Sequence, residues 1–221
     1  MQKQALIFGA TGAVGRELLG LCLDGDRYAR VTVVARRPAS LTHERLLWIE
    51  AEMDALDRLE PLSGLEDGDA YYCLGTTIEA AGSEEAFRRI ENTCALSAAR
   101  LAKKSGITRF SMVSAIDASP ESRNAYNRTK GEVETAVIAQ GIPSLRIFRP
   151  SLLKGARSEF RLKEALGNWA MTLLTPVFLL GLRRYQPVPI TKLARALYTS
   201  AGEDTLDASP CIFESDEIQT Y

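Results

Sequence analysis

The sequence predicts an α/β protein built on a doubly wound parallel sheet, and three observations carry that expectation. Apolar runs of strand length alternate with helical patterns from the first residues onward; the first run leads straight into a glycine-punctuated turn; capping residues bound the longer helical segments. Ala5-Leu6-Ile7-Phe8 has no polar alternation, as a strand buried on both faces requires. A helical pattern follows through Leu18, Leu19 and Cys22, then a second buried strand, Val31 to Val34, and a shorter third, Leu46 to Ile49. Ala70 to Leu74 is the fourth, introduced by the turn residues Asp67-Gly68-Asp69. The long helix expected over Ser83 to Ser105 has Ser83 as its N-cap and Glu84 and Glu85 in its first turn. Arg100, Lys103 and Lys104 lie toward its other end, and Gly106 stops it. Phe110 to Val113 is the fifth strand, Ala125 to Gln140 a helix closed by Gly141, and Leu145 to Phe148 the sixth strand. Six such strands alternating with helices imply right-handed crossovers and therefore a parallel sheet.

After Pro150 the pattern loosens. A helix is expected over Phe160 to Leu174, then an apolar stretch around Pro176, a helix from Ile190 to Ser200, and a short strand near Cys211 to Phe213. Residues 151–221 are too few and too irregular for a core of their own. We expect one domain over 1–221, with 151–221 as a small cap over the carboxyl edge of the sheet. The run Trp169 to Leu182 is too short to span a membrane, and we expect it to wall the substrate entrance.

Composition removes several classes of function. The 221 residues carry 27 Lys+Arg against 28 Asp+Glu, a net charge of −1, with no basic stripe, so no nucleic-acid partner is expected. Cys22, Cys73, Cys94 and Cys211 are scattered and His43 is the sole histidine, so no metal site is expected either. Unpaired thiols and an apolar strand directly after Met1-Gln2-Lys3-Gln4 lead us to expect a cytoplasmic protein without stable membrane insertion.

Three motifs carry chemistry. Gly9-Ala10-Thr11-Gly12-Ala13-Val14-Gly15 lies between the first strand and the first helix. Its glycines permit a tight turn, close approach of backbone to a pyrophosphate and close helix packing, so Gly9, Thr11, Gly12, Ala13, Val14 and Gly15 are candidate phosphate contacts. At the end of the second strand stand Arg36-Arg37 instead of an acidic residue. Two fixed cations there suit a 2′-phosphate, so NADP(H) is expected rather than NAD. Tyr126 and Lys130 are four residues apart on one helix face, and a lysine ammonium near a phenol favours its phenolate, which suits proton transfer. Ser114, at the carboxyl end of the fifth strand, is placed to donate to a substrate carbonyl.

In this order Gly9 to Gly15, Cys73-Leu74-Gly75-Thr76-Thr77, Asn92, Val113-Ser114, Tyr126 to Lys130 and Phe148-Arg149-Pro150 resemble the short-chain dehydrogenase/reductase family, with its Rossmann fold. Leu-Gly-Thr-Thr after the fourth strand and Lys130-Gly131-Glu132-Val133-Glu134 look like the atypical branch that includes the Tat-interacting protein and its bacterial relatives. The resemblance implies an active-site set of Ser114, Tyr126 and Lys130, with Asn92 as a proton-relay residue. It also implies Leu74, Gly75 and Thr76 beside the cofactor ribose, and Pro150, Leu152 and Leu153 by the nicotinamide. Leu-Gly-Thr-Thr replaces the Asn-Ala-Gly turn of the best-characterised reductases.

The expected function is an NADPH-dependent oxidoreductase of carbonyl reductase or alcohol dehydrogenase type, acting on a small or lipophilic carbonyl or its alcohol. The alternative from another class is a non-catalytic NADP(H)-binding regulator or redox sensor that works through a protein partner. An epimerase is a third option, though the short cap leaves little room for a nucleotide-sugar. A homodimer remains open.

Overall fold

The first apolar run becomes the middle of a sheet because both its faces must be covered. In the computed structural model, which describes residues 3–37, 39–155, 183–203 and 209–221, β1 (Lys3–Phe8) pairs in parallel with β2 (Tyr28–Ala35) on one side and β4 (Asp69–Tyr72) on the other. β3 (Leu46–Glu50), β5 (Arg109–Val113), β6 (Ser144–Arg149) and β9 (Cys211–Glu214) complete a sheet of order β3-β2-β1-β4-β5-β6-β9, every neighbouring pair parallel. The order reverses at β1, next to β4. In an open α/β sheet that switch point opens a crevice at the carboxyl ends of the strands.

Helices cover both faces. α1 (Ala13–Asp24) and α5 (Ile190–Ser200) bury Leu18, Leu19, Leu193 and Leu197 against Ala5, Ile7, Val31 and Val33. On the opposite face, α3 (Glu84–Lys104) and α4 (Ala125–Ile138) bury Ala95, Ala98, Val133 and Val137 against Leu6, Phe8, Phe110 and Ile147. Consecutive β1 residues serve opposite layers, which is why the strand reads as uninterrupted apolar sequence.

The expected caps hold for α3, where the Ser83 hydroxyl accepts from the Ala86 amide at 3.1 Å. α4 ends two residues before the Gln140 expected from sequence. A four-residue α2 (Ile78–Ala81), capped by Thr77, was not foreseen: one turn is too short to show periodicity. The C-terminal part departs from a simple cap. β9 forms a sheet edge and α5 packs on α1, because their apolar sides complete the layer begun by α1. The short pair β7 (Leu153–Lys154) and β8 (Val188–Pro189) stands apart from the main sheet, and α6 (Ser215–Ile218) closes the chain. The helix expected over Phe160 to Leu174 and the run Trp169 to Leu182 lie outside the described residues. Among the described residues no helix is long and apolar enough to cross a membrane.

Candidate functional site

Local packing dictates the glycine turn after β1. Gly9 has φ +88°, and a Cβ there would lie 2.7 Å from the carbonyl carbon of Cys73. A Cβ on Gly15 would sit inside the surface of the Gly9 carbonyl oxygen, so only glycine lets α1 start this close to β1. Gly12 caps α1 without a side-chain hydrogen bond, which leaves a bare helix N-terminus at the switch point. Such a terminus favours phosphate through its amides and its dipole. The cradle fits a dinucleotide pyrophosphate.

Two adjoining cavities extend from this turn. One, about 490 Å³, is lined by Gly9, Thr11, Arg36, Arg37, Glu52 and Met53, among others; a second, about 770 Å³, shares Arg36, Glu52, Met53 and Leu74 and continues to Gly75, Thr76 and Glu91. Arg36 thus borders both spaces and Arg37 only the first, and both side chains are exposed. Glu52 and Met53 escaped the sequence reading. Their signal was available, since they lie two and three residues after β3, lining the same cavity as Arg36. Glu52 places an acidic side chain on the same two cavities as Arg36.

The chemistry-bearing side chains gather around α4. The helix begins at Asn124, whose side chain accepts from the Asn127 amide at 3.1 Å. Gly131 is required because a Cβ would overlap the Ser119–Pro120 backbone crossing the helix. Tyr126 stacks on Phe87 of α3 with ring centroids 5.4 Å apart, and the Lys130 ammonium lies 5.8 Å from the Tyr126 centroid. Lys130 is also against Gly75, where a Cβ would come within 3.8 Å of Nζ. Its close partner is Glu91 of α3, at 2.5 Å. Burial alone would push this ammonium down, but the Glu91 carboxylate, with Tyr126 and Glu134, holds it above the ordinary lysine value.

Ser114 behaves differently from expectation. Its hydroxyl donates to Glu134 Oε1 at 2.5 Å instead of facing a ligand with a free proton. Glu134 is clamped by Arg149, which donates from Nε to Oε1 at 3.1 Å and from Nη2 to Oε2 at 2.6 Å. Arg149 also donates to Glu214 Oε1 at 3.1 Å. A buried serine beside a buried carboxylate donates its hydrogen bond to it, so spacing alone could not reveal this arrangement.

The remaining sequence candidates divide. Leu74, Gly75 and Thr76 do line the second cavity. Asn92 does not meet Lys130: its amide donates back to the Arg88 carbonyl of its own helix at 3.0 Å. One position earlier, Glu91 occupies that place, because a step of one residue turns a helix by a large angle. Pro150 is buried and its carbonyl accepts from Ile116 at 2.9 Å, Leu152 is exposed, and Leu153 lies in β7. Ser114, Tyr126 and Lys130 line neither of the two cavities above. No metal cluster occurs among the described residues.

Comparison with known proteins identifies the family and the fold. The NAD(P)H-binding family model matches residues 9–154. Protein FMP52-2, mitochondrial, from Scheffersomyces stipitis is 31% identical over 189 residues, covering 80% of this chain and 82% of that protein. Protein HTATIP2 from Rattus norvegicus is 31% identical over 186 residues, covering 79% and 76%. A short chain dehydrogenase family protein from Francisella tularensis superposes with a TM-score of 0.68 over 100% of this chain and 99% of that one, at 13% identity, a likeness of fold.

Proposed function

Because the chain belongs to the NAD(P)H-binding family, with relatives in the atypical short-chain dehydrogenase/reductase branch, we propose that it is an NADPH-dependent oxidoreductase reducing a small or lipophilic carbonyl to its alcohol. The observation that carries this proposal is the ammonium of Lys130 held between Glu91, Gly75 and the ring of Tyr126.

The glycine turn and the N-terminus of α1 hold the pyrophosphate, and Arg36, supported by Arg37, holds a 2′-phosphate. Lys130 grips the nicotinamide ribose with the protons it does not give to Glu91. When bound, the dihydronicotinamide supplies a hydride to the carbonyl carbon. Tyr126 then gives its phenolic proton to the carbonyl oxygen, and the neighbouring ammonium stabilises the phenolate left behind until solvent restores the proton. Ser114, its own proton engaged by Glu134, would meet the product hydroxyl as an acceptor.

Free thiols at Cys22, Cys73, Cys94 and Cys211 fit a reducing compartment, and we propose the cytoplasm. A screen of carbonyl compounds followed by NADPH absorbance tests the activity. Tyr126→Phe should retain cofactor affinity and lose about 10²–10⁴-fold in turnover, the usual worth of a positioned acid. Full activity in that variant would remove the assignment. The Ser114–Glu134 bond favours one second reading, an NADP(H)-binding regulator acting through a protein partner. Cofactor binding with no turnover across the screen would select it.

A further inference from the structure

We propose that Glu91 is a positioning residue: it fixes the Lys130 ammonium against the loop after β4 and so sets where the cofactor ribose can be gripped. The proposal rests on the assignment of Lys130 as ribose anchor.

Glu91 uses its two oxygens differently. Oε2 accepts from Lys130 Nζ at 2.5 Å and Oε1 accepts from the Thr76 backbone amide at 2.8 Å, so one carboxylate ties α4 to the turn carrying Gly75 and Thr76. Both partners are withdrawn from water, at 3% and 5% side-chain exposure. A buried ion pair gains little net stability over an apolar pair of equal size, so its value has to be sought elsewhere. Here it confines a flexible four-carbon side chain to one place, and Glu91 is the hydrogen-bond partner of the ammonium among the described residues. Gly75, with no side chain, keeps the space beside it open. Among the described residues, the charged and titratable groups facing Lys130 are Glu91 from α3 and Tyr126 and Glu134 from α4 itself, while the loop after β4 brings uncharged Gly75 beside it. Glu134 is already held by Ser114 and Arg149, so Glu91 is the direct partner.

The test compares wild type with Glu91→Gln, Glu91→Asp, Lys130→Met and the Glu91→Gln/Lys130→Met double variant. NADPH affinity is read by fluorescence titration, and the Lys130 ammonium by NMR titration of its ε-methylene. Glu91→Gln keeps an acceptor for Thr76 and loses the charge. It should weaken NADPH about tenfold, the size of one charge-assisted hydrogen bond no longer held in place, and lower the pH at which Lys130 deprotonates. In the Lys130→Met background the same change should cost nothing further, whereas a merely structural role would weaken binding equally in both backgrounds. Glu91→Asp, which keeps the charge one methylene back, should recover part of the affinity and serves if the glutamine variant folds poorly. Wild-type NADPH affinity in Glu91→Gln, an unmoved Lys130 titration, or an additive loss in the double variant would overturn the proposal. A wild type that binds neither NADPH nor NADH would instead overturn the assignment beneath it.

Discussion

At the scale of single residues, charge and clearance decide what the cofactor crevice admits. Arg36 borders both cavities and is exposed, so an ion pair with the proposed 2′-phosphate would be partly screened. Arg36→Ala should therefore cost about tenfold in NADPH affinity, the lower end for a charge-assisted bond, and leave NADH affinity unchanged. Paired titrations with the two cofactors measure this, and equal losses for both would mean that Arg36 does not read the phosphate. Gly15 is constrained by space instead. Ala at this position meets the carbonyl of Gly9 and the Cα of Ala10, both backbone, so relief requires α1 to move off β1. We expect Gly15→Ala to lower stability by about 1–3 kcal/mol, as overpacking does, and to lose NADPH binding because the helix terminus is displaced.

Between elements, the decisive connection is a line of charges that sequence spacing does not announce. Glu134 of α4, Arg149 at the end of β6 and Glu214 at the end of β9 join three elements and end on the Ser114 hydroxyl. Arg149→Met would leave Glu134, 5% exposed, without its cation. That should cost about 3–5 kcal/mol, the usual consequence of stranding a buried charge, in a urea unfolding experiment. A loss below about 1 kcal/mol, the range of a surface pair, would show that the line is not a unit in solution. By contrast, Arg88–Glu132 lies on the surface and its removal should be nearly silent.

For the whole molecule, several buried groups share one pH response. Burial pushes the phenols of Tyr28, Tyr71 and Tyr72 well above their usual 10.0, and Lys130 is held above 10.5 by Glu91 against the effect of its burial. Burial also lifts the Cys73 thiol to about 12 and Cys94 to about 11. Each group keeps its proton more tightly when folded, so each contribution is complete below the unfolded value and fades as pH rises toward the folded one. Thermal stability should hold through neutrality and fall steadily once pH passes about 9–10, where the unfolded thiols, phenols and lysine begin to titrate. Melting temperatures that stay level into strongly alkaline buffer would contradict this.

How much could be read beforehand follows from how local each determinant is. The strands β1, β2 and β4 and the helix α3 were legible because continuous apolar runs, caps and stop glycines are properties of neighbouring residues. The glycine turn, Arg36 and the Tyr126–Lys130 pair were legible because each lies within one short segment. What the chain order could not settle is which long-range partner each polar group takes. Glu91, which the sequence did not single out, meets Lys130 because the packing of α3 on α4 fixes which side of the helix turns inward. Ser114 donates a hydrogen bond to Glu134 across 20 residues of chain, and β9 reaches the sheet across more than 60. Segment identity is set by local propensity and periodicity. The pairing of buried charges is set by desolvation, which acts only when the fold brings distant residues out of water together.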